Sequence, residues 1–291
     1  METKKKKIGF ILNPYAGIGG KAGLKGSDNY KKIEKLLLEG CERTSPKRAE
    51  SCMSKIADLT ASLVAGDKGS VGEKNFSILS APGDMGEALL KKLKIPCDVV
   101  LCPKADTSSA EDTKLCAQIM KEQGVDLLVF CGGDGTARDI CEAVGTDVTV
   151  LGIPAGVKMY SACYACNPYQ AGEMLAGWLE GKEMSYEMRE VLDIEEKDLD
   201  SRNVSPQLYG FLEVLSDGKH LQKAKELDLG SGESATIIAR AAILRMEKDW
   251  VYIIGPGGTT WKIKELLCEN DEQEDTGKKN VHGTVRGVDV I

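Results

Sequence analysis

The sequence contains three short glycine-rich segments, and an apolar run of the kind that forms a strand precedes each of them. The segments span residues 13–20, 132–136 and 255–260. Glycine lets the main chain approach a ligand closely, and successive backbone N–H groups can then surround an anion. A helix that starts at such a segment adds the partial positive charge of its N-terminus. These segments therefore predict the binding of phosphate groups.

The central segment reads Gly-Gly-Asp-Gly-Thr and places an acid, Asp134, among the expected phosphate-binding amides. A carboxylate is unfavourable there unless it meets a proton donor or a metal ion. In phosphoryl transfer, an aspartate beside the acceptor hydroxyl orients it and takes its proton. Mg²⁺ would offset the charge between Asp134 and the phosphates. The alternative is that Asp134 only caps the following helix, and the motif favours the catalytic role over this one.

The other candidate site residues are glycines with accessible amides and a few small polar or charged side chains. Lys158 follows an Ile-Pro-Ala-Gly turn, and it could contact a phosphate as a point charge or simply be solvated. Segments 13–20 and 255–260 could each be only a turn. The predicted phosphate- and nucleotide-binding residues are Asn13, Gly17, Gly19, Gly20, Gly132, Gly133, Gly135, Thr136, Lys158, Gly255, Gly257, Gly258, Thr259 and Thr260.

Short apolar runs alternate with amphipathic stretches through the first half of the chain. This alternation predicts the α/β class, with a Rossmann-like parallel sheet covered by helices on both faces. Ligands of such sheets bind at the carboxyl ends of the strands, where the three glycine segments could converge. The predicted strands are 8–12, 76–79, 97–101, 126–131 and 148–151, and the predicted helices are 30–38, 54–64, 85–93, 111–121 and 136–144.

The pattern changes after about residue 181. Two predicted strands, 184–194 and 208–215, have no helix between them, which indicates antiparallel pairing. We therefore predict an α/β domain at 1–180 and a β-rich second domain at 181–291, whose C-terminal βαβ portion packs back on the first. That portion comprises helix 233–246, strand 251–254, helix 260–267 and strand 288–291. Because a bare apolar strand is an unusual terminus, we expect the natural chain to continue beyond Ile291.

Composition narrows the class of ligand. The 291 residues include 45 acidic and 38 basic ones, so the formal charge of −7 gives no general attraction to nucleic acid or anionic lipid. With 5% aromatic residues, a stacking surface for single-stranded nucleic acid is not expected. No apolar signal segment precedes the ten cysteines, and no run approaches a membrane span in length. We expect a cytoplasmic protein that binds a small-molecule nucleotide, with no membrane or nucleic-acid partner.

Cys163 and Cys166 form a C-x-x-C pair without a second pair or a nearby histidine. A zinc site is therefore weakly supported. A redox pair is an open alternative, and two packing thiols are the favoured interpretation.

The sequence resembles the ATP-NAD kinase superfamily, and more closely its branch described as ATP-NAD kinase or acetoin-catabolism protein X-like. The resemblance is carried by segments 8–26, 130–140, 151–161, 209–214 and 254–260. The central motif is also shared with diacylglycerol and sphingosine kinases and, loosely, with phosphofructokinases. Where characterised NAD kinases have an Asn-Glu pair in the second domain, the nearest match here is Leu212-Glu213.

The resemblance implies a site in a cleft between an α/β domain and a β-rich domain. It implies phosphoryl transfer from ATP or polyphosphate to the 2′-hydroxyl of the adenosine ribose of NAD or a related nucleotide, with Mg²⁺ or another divalent cation. Asp134 would be the carboxylate on the acceptor side, and the neighbouring residues 132–136 would bind donor phosphates or the dinucleotide. Association into a homo-oligomer is compatible with it. Two alternatives remain: a lipid kinase, and a nucleotide-binding regulatory protein without turnover.

Overall fold

The structure is a computed structural model that describes residues 5–18, 37–38, 40–64, 76–101, 108–156, 159–193, 206–222, 233–247, 250–255 and 258–273. By its internal contacts the chain divides into two compact units, Met1–Lys225 and Glu226–Ile291. The predicted change at residue 180 lies inside the first unit. The assignment of 181–291 as a separate domain stays a prediction.

A seven-stranded sheet forms the centre of the first unit. The five strands β1 to β5 are parallel, as the alternation predicts, whereas β6 pairs with β7 in antiparallel fashion. The spatial order is β3-β2-β1-β4-β5-β7-β6, and only Val150↔Val214 joins β5 to β7. The strands are β1 Lys6–Leu12, β2 Phe76–Ser80, β3 Asp98–Val99, β4 Leu127–Gly132, β5 Val150–Pro154, β6 Ser185–Asp193 and β7 Gln207–Ser216.

Helices cover both faces of this sheet. The first unit contains α1 Thr44–Val64, a short 3-10 turn at Gly83–Met85, α2 Glu87–Lys92, α3 Ala110–Glu122, α4 Asp134–Val144 and α5 Pro168–Leu179. The second unit contains α6 Glu233–Ile243 and α7 Gly258–Gln273. Among the helices of the described residues, none combines the length and apolarity needed to cross a membrane.

Strand β4 shows how the two apolar layers form. All six of its residues are buried, and successive side chains point to opposite faces of the sheet. Leu127 and Val129 join the layer that also contains residues of α1, α2 and α5, whereas Leu128 and Phe130 join the layer with α3 and α4. A strand buried on both faces carries apolar side chains at successive positions, so its sequence is a continuous apolar run.

Several elements differ from the sequence-based expectation. The predicted helix at 54–64 begins ten residues earlier, at Thr44, and the added turns carry the exposed Lys47 and Ser51 beside the buried Ala49 and Cys52. Helix α5 was not predicted, because its buried Ala, Gly, Met and Leu residues give a weak period. The predicted strand at 251–254 is wrong: those residues are irregular, and Val251 and Ile253 are more than 90% exposed, with no described strand paired to them. Most of 30–38 and all of 288–291 lie outside the described residues.

Candidate functional site

Three loops meet at the carboxyl edge of the parallel sheet. They follow β1, β4 and β5, and main-chain hydrogen bonds connect them directly. The Asn13 N–H donates to the Cys131 carbonyl at 2.9 Å, and the Ala155 N–H donates to the Gly132 carbonyl at 2.9 Å. The Asn13 side-chain amide also donates to the Thr136 hydroxyl at 2.9 Å. Two of the predicted glycine segments are therefore adjacent, and the loop after β5 is the third member of the cluster.

Glycine is required where these loops pass closest. Gly17 has φ +77°, and a Cβ there would lie 2.2 Å from the Ala155 carbonyl oxygen. A Cβ on Gly132 would lie 2.4 Å from Cβ of Thr136. A Cβ on Gly133 would lie 3.7 Å from Cα of Gly156, an ordinary contact distance. The glycines at 17 and 132 therefore allow an approach that a larger residue would prevent.

Asp134 begins helix α4 and is 8% exposed. Its two carboxylate oxygens accept separate backbone N–H groups from the loop after β5: Oδ2 accepts from Tyr160 at 2.7 Å, and Oδ1 accepts from Ser161 at 2.9 Å. Hydrogen bonds to an ionised carboxylate are strong and stabilise its charge. Because each carboxylate oxygen can accept two hydrogen bonds, these amides do not by themselves prevent a substrate hydroxyl from binding.

The first turn of α4 offers backbone amides to an anion. The N-cap residue of α4 is Gly133, which has no side chain that could cap the helix. The first backbone amides of a helix also lack partners within the helix. Gly133 and Gly135 are partly exposed, whereas Gly132 and Thr136 are buried. The predicted segment thus divides into residues that can face a ligand and residues that hold the loop.

Asn13 and Thr136 serve the loop structure through their side chains. The Thr136 hydroxyl accepts the Asn13 amide, and Oδ1 of Asn13 accepts the N–H of Tyr15 at 3.0 Å. The Asn13 carbonyl in turn accepts the hydroxyl of Ser45, which lies at the start of α1. Direct contact of these two residues with a nucleotide stays a prediction.

The remaining predicted residues fall into two groups. Gly19, Gly20, Lys158 and Gly257 are outside the described residues. Gly255 is an exposed loop residue of the second unit, and Gly258, Thr259 and Thr260 form the first turn of α7 in that unit. Their part in nucleotide binding stays a prediction.

Two residues that support the site, Tyr164 and Ser161, were not among the predicted site residues. Tyr164 is fully buried, its hydroxyl donates to the Gly133 carbonyl at 2.6 Å, and its ring packs edge-on against Phe130 with centroids 5.4 Å apart. Burial raises the pKa of the Tyr164 phenol well above its usual value, so the group remains a donor. Ser161 is also buried and contributes its amide to Asp134. Neither residue belongs to a glycine segment. Ser161 lies within the segment 151–161 that carries the family resemblance, whereas Tyr164 lies outside it.

The Leu212-Glu213 pair does not join this cluster. Leu212 is fully buried within β7. Glu213 accepts the hydroxyl of Thr149, which immediately precedes β5 and so lies at the opposite end of that strand from the loops. The pair therefore cannot replace an Asn-Glu pair at the loop cluster.

Mg²⁺ fits the site only as an ion shared with substrate. Within the described ranges, no group of three or more His, Cys, Asp or Glu side chains could hold a metal. Mg²⁺ in kinase sites usually keeps several waters and binds one or two carboxylates together with substrate phosphates. Asp134 with the phosphates of a bound nucleotide would meet that requirement.

Comparison with known proteins identifies the family. A model of the ATP-NAD kinase N-terminal domain matches residues 8–183. A diacylglycerol kinase structure from Bacillus anthracis str. Sterne aligns at 14% identity and TM-score 0.29, covering 63% of this chain and 44% of that one. A second structure from the same strain, with a similar description, aligns at 14% identity and TM-score 0.30, covering 65% and 43%.

These alignments span less than half of either solved chain. No protein of curated function is a match. Because the domain model accounts for more than half of the sequence, and the matched region contains the whole loop cluster, the chain belongs to the ATP-NAD kinase family.

Proposed function

We propose that this protein is a small-molecule kinase that transfers a phosphoryl group from ATP or polyphosphate to the ribose 2′-hydroxyl of NAD or a related nucleotide. The proposal rests on one observation above all. The Asp134 carboxylate lies at the start of a helix whose first amides can bind an anion, and it is held among three hydrogen-bonded loops at the carboxyl edge of a parallel sheet. That arrangement combines a proton acceptor with a phosphate-binding surface.

Each part of the cluster has a chemical role in this proposal. The amides of Gly133 and Gly135 bind donor phosphates at the positive end of α4. Asp134 orients the acceptor hydroxyl and takes its proton as the phosphorus–oxygen bond forms. A divalent cation, when bound, neutralises phosphate charge. Since phosphoryl transfer depends mainly on positioning and electrostatics, the hydrogen bonds between the loops supply what the reaction needs from the protein.

A lipid kinase is the second candidate. The Gly-Gly-Asp-Gly-Thr motif is shared with diacylglycerol kinases, and Leu212 stands at the place expected for the Asn of NAD kinases. A different acceptor would leave the donor side of the site unchanged, because in this proposal the donor phosphates bind the amides of Gly133 and Gly135.

An acceptor panel tests the proposal. Purified protein is incubated with Mg²⁺ and either ATP labelled at the γ-phosphate or labelled polyphosphate, together with NAD, NADH, nucleosides or diacylglycerol in mixed micelles. We expect labelled 2′-phosphorylated dinucleotide, and a loss of at least ~10²-fold in rate for Asp134→Ala.

Asp112→Ala is the matched control for this panel. Asp112 is also a carboxylate in the first turn of a helix, but it caps α3 through Ser109 on an exposed surface. We expect it to keep the wild-type rate. Labelled lipid without labelled dinucleotide would establish the lipid kinase. Nucleotide binding without turnover of any acceptor would indicate a regulatory protein.

A further inference from the structure

We propose that Ser161 is a positioning residue for Asp134, and that it couples the catalytic carboxylate to strand β6. This inference rests on the proposed kinase function. The family domain model ends at residue 183, whereas β6 begins at Ser185. The proposal therefore assigns a catalytic purpose to a part of the chain beyond the matched domain.

The first step is the dependence of Asp134 on one short segment. Both amides that bind its carboxylate come from consecutive residues, Tyr160 and Ser161. A shift of that segment by a fraction of an ångström would change both hydrogen bonds together. The orientation of the carboxylate is therefore only as well defined as the position of the segment.

The second step is how Ser161 is held. Its hydroxyl donates to the Leu192 carbonyl at 2.8 Å and accepts the Leu192 N–H at 3.0 Å. The serine is 2% exposed, so water cannot replace these bonds without opening the structure. The register of β6 and β7 shifts between Val191 and Leu192, at the residue that Ser161 binds.

The adjoining residues extend this attachment on both sides. The Ala162 N–H donates to the Glu190 carbonyl at 3.1 Å, so residues 161–162 follow the edge of β6. The next residues bind β5: the Gly152 N–H donates to the Cys163 carbonyl at 3.1 Å, and the Ala165 N–H donates to the Gly152 carbonyl at 3.0 Å. The segment is thus fixed between two strands, and the Ser161 hydroxyl is its side-chain link to β6.

A second link returns from β6 to the catalytic helix. Asp193 follows Leu192 and forms an ion pair with Arg138 at 3.0 Å. Arg138 lies one helical turn after Asp134 in α4, and its guanidinium lies 5.6 Å from the centre of the Tyr209 ring on β7. The end of β6 is therefore attached to α4 directly through Asp193 and to Asp134 through Ser161. Both links fix the same carboxylate relative to the sheet.

The test combines hydrogen exchange with kinetics on Ser161→Ala. We expect the backbone amide of Tyr160 to exchange at least ~10-fold faster, because its local opening no longer requires breaking the two hydrogen bonds between Ser161 and Leu192. We expect kcat to fall about 10- to 100-fold, the scale for small misplacements of reacting groups. The KM for NAD and the Kd for MgATP should change less than about twofold, because Ser161 is not proposed to contact either.

Ser216→Ala is the matched control. Ser216 is the last residue of β7, the strand that pairs with β6, and it is 1% exposed. Its hydroxyl accepts the Gly218 N–H at 3.1 Å. Ser216→Ala also removes a buried hydroxyl, but we expect no change in the exchange rate of the Tyr160 amide or in kcat. If Ser161→Ala does not fold, Asp193→Asn is the second variant, since it weakens the other link and should lower kcat in the same way.

A double variant separates positioning from general damage. If Ser161 acts through Asp134, adding Ser161→Ala to Asp134→Asn should lower kcat no further. Equal multiplicative losses in both backgrounds would overturn the proposal, and so would unchanged Tyr160 exchange or an unchanged kcat in Ser161→Ala. The hydrogen-exchange measurement needs no substrate. It therefore tests the link between Ser161 and β6 even if no acceptor in the panel is phosphorylated. Absence of turnover by the wild-type protein would refute both the kinase activity and the proposed effect of Ser161 on kcat.

Discussion

Gly17 and Gly40 have similar backbone conformations but different surroundings. Their φ angles are +77° and +84°, in the region that favours glycine. A Cβ on Gly17 would lie 2.2 Å from the Ala155 carbonyl oxygen, whereas a Cβ on Gly40 would meet no atom of the described residues within 4 Å. The comparison therefore separates the strain of the backbone from the contact between the loops.

Alanine at these two positions should have unequal effects. We predict that Gly40→Ala lowers the free energy of unfolding by about 1 kcal/mol, the cost of a positive φ for alanine. Gly17→Ala should lower it by a further ~1–3 kcal/mol, because the Ala155 main chain must move. Urea unfolding of both variants measures the difference. Equal losses would show that the two loops do not approach each other as described.

At the residue scale, sequence reasoning identified the acid but not its partners. Asp134 could be singled out because its five-residue motif has a recognisable chemistry. Tyr160 and Ser161 bind it through main-chain N–H groups, which every residue except proline carries, so no side-chain pattern could reveal them. The Ser45 hydroxyl, which binds the Asn13 carbonyl across 32 positions of sequence, was equally hidden.

At the element scale, helices α1 and α5 pack closely through a small residue. A Cβ on Gly172 of α5 would lie 2.7 Å from the Cys52 carbonyl oxygen of α1. An ion pair between Lys55 and Glu173, 2.7 Å apart, joins the same two helices at their surface. Burial of the apolar faces stabilises this pair of helices, and the glycine sets how near they can come.

Alanine substitutions at two glycines of α5 should therefore change the stability of the protein in opposite directions. Alanine favours a helix interior over glycine by about 1 kcal/mol. At Gly177, the atoms nearest to the new Cβ belong to the Met184 and Lys182 side chains, which can move, so Gly177→Ala should be neutral or stabilising by up to that amount. At Gly172, the clash with main chain should make the variant less stable by about 1–3 kcal/mol. Thermal unfolding provides the measurement, and a stabilised Gly172→Ala would contradict the described packing.

Elements were predictable where apolar runs were bounded by clear turns. Strands β1 and β4 were found because each is a compact apolar run followed by a polar residue or glycine, Asn13 after β1 and Gly133 after β4. Helix α5 was missed although Asn167 caps it and Pro168 opens it, because its small residues hide the helical period. The run at 251–254 was mistaken for a strand because composition indicates a preference for strand structure but not the presence of a neighbour to pair with.

At the scale of the whole molecule, the first unit carries the seven-stranded sheet, both apolar layers around it and the loop cluster. Cysteines contribute to these layers as small apolar side chains: Cys52, Cys116, Cys131 and Cys163 are fully buried, whereas Cys166 is exposed. Burial raises the pKa of the Cys52 thiol to about 12, and it also raises the pKa values of Cys131 and Cys163 well above the usual value.

Thiol labelling should follow this burial. The thiolate is the reactive form, and each unit of raised pKa lowers its population tenfold. At pH 8, we predict that an alkylating reagent modifies Cys166 at least ~100-fold faster than Cys52 or Cys131 in the native protein. Peptide mass spectrometry over a time course reports each site separately, and denaturant should abolish the difference. Rapid native labelling of Cys52 would contradict the packing of α1 on the sheet.

The general class of the molecule was accessible from sequence because alternation and motif spacing are local patterns. The division of the chain after Lys225 could not be predicted from the sequence, since it depends on which elements contact one another. Strands β6 and β7 were correctly expected to pair with each other, but their attachment to β5 rests on a single residue pair that no local pattern encodes.

The central claim is that the Asp134 carboxylate performs the chemistry at the loop cluster. Asp134→Asn tests it most directly, because asparagine keeps the size of the side chain and can still accept a loop amide. With MgATP and NAD, we predict that kcat falls at least ~10²-fold while the Kd for MgATP, measured by calorimetry, stays within a few-fold of wild type. A folded Asp134→Asn protein with unchanged kcat would contradict the account.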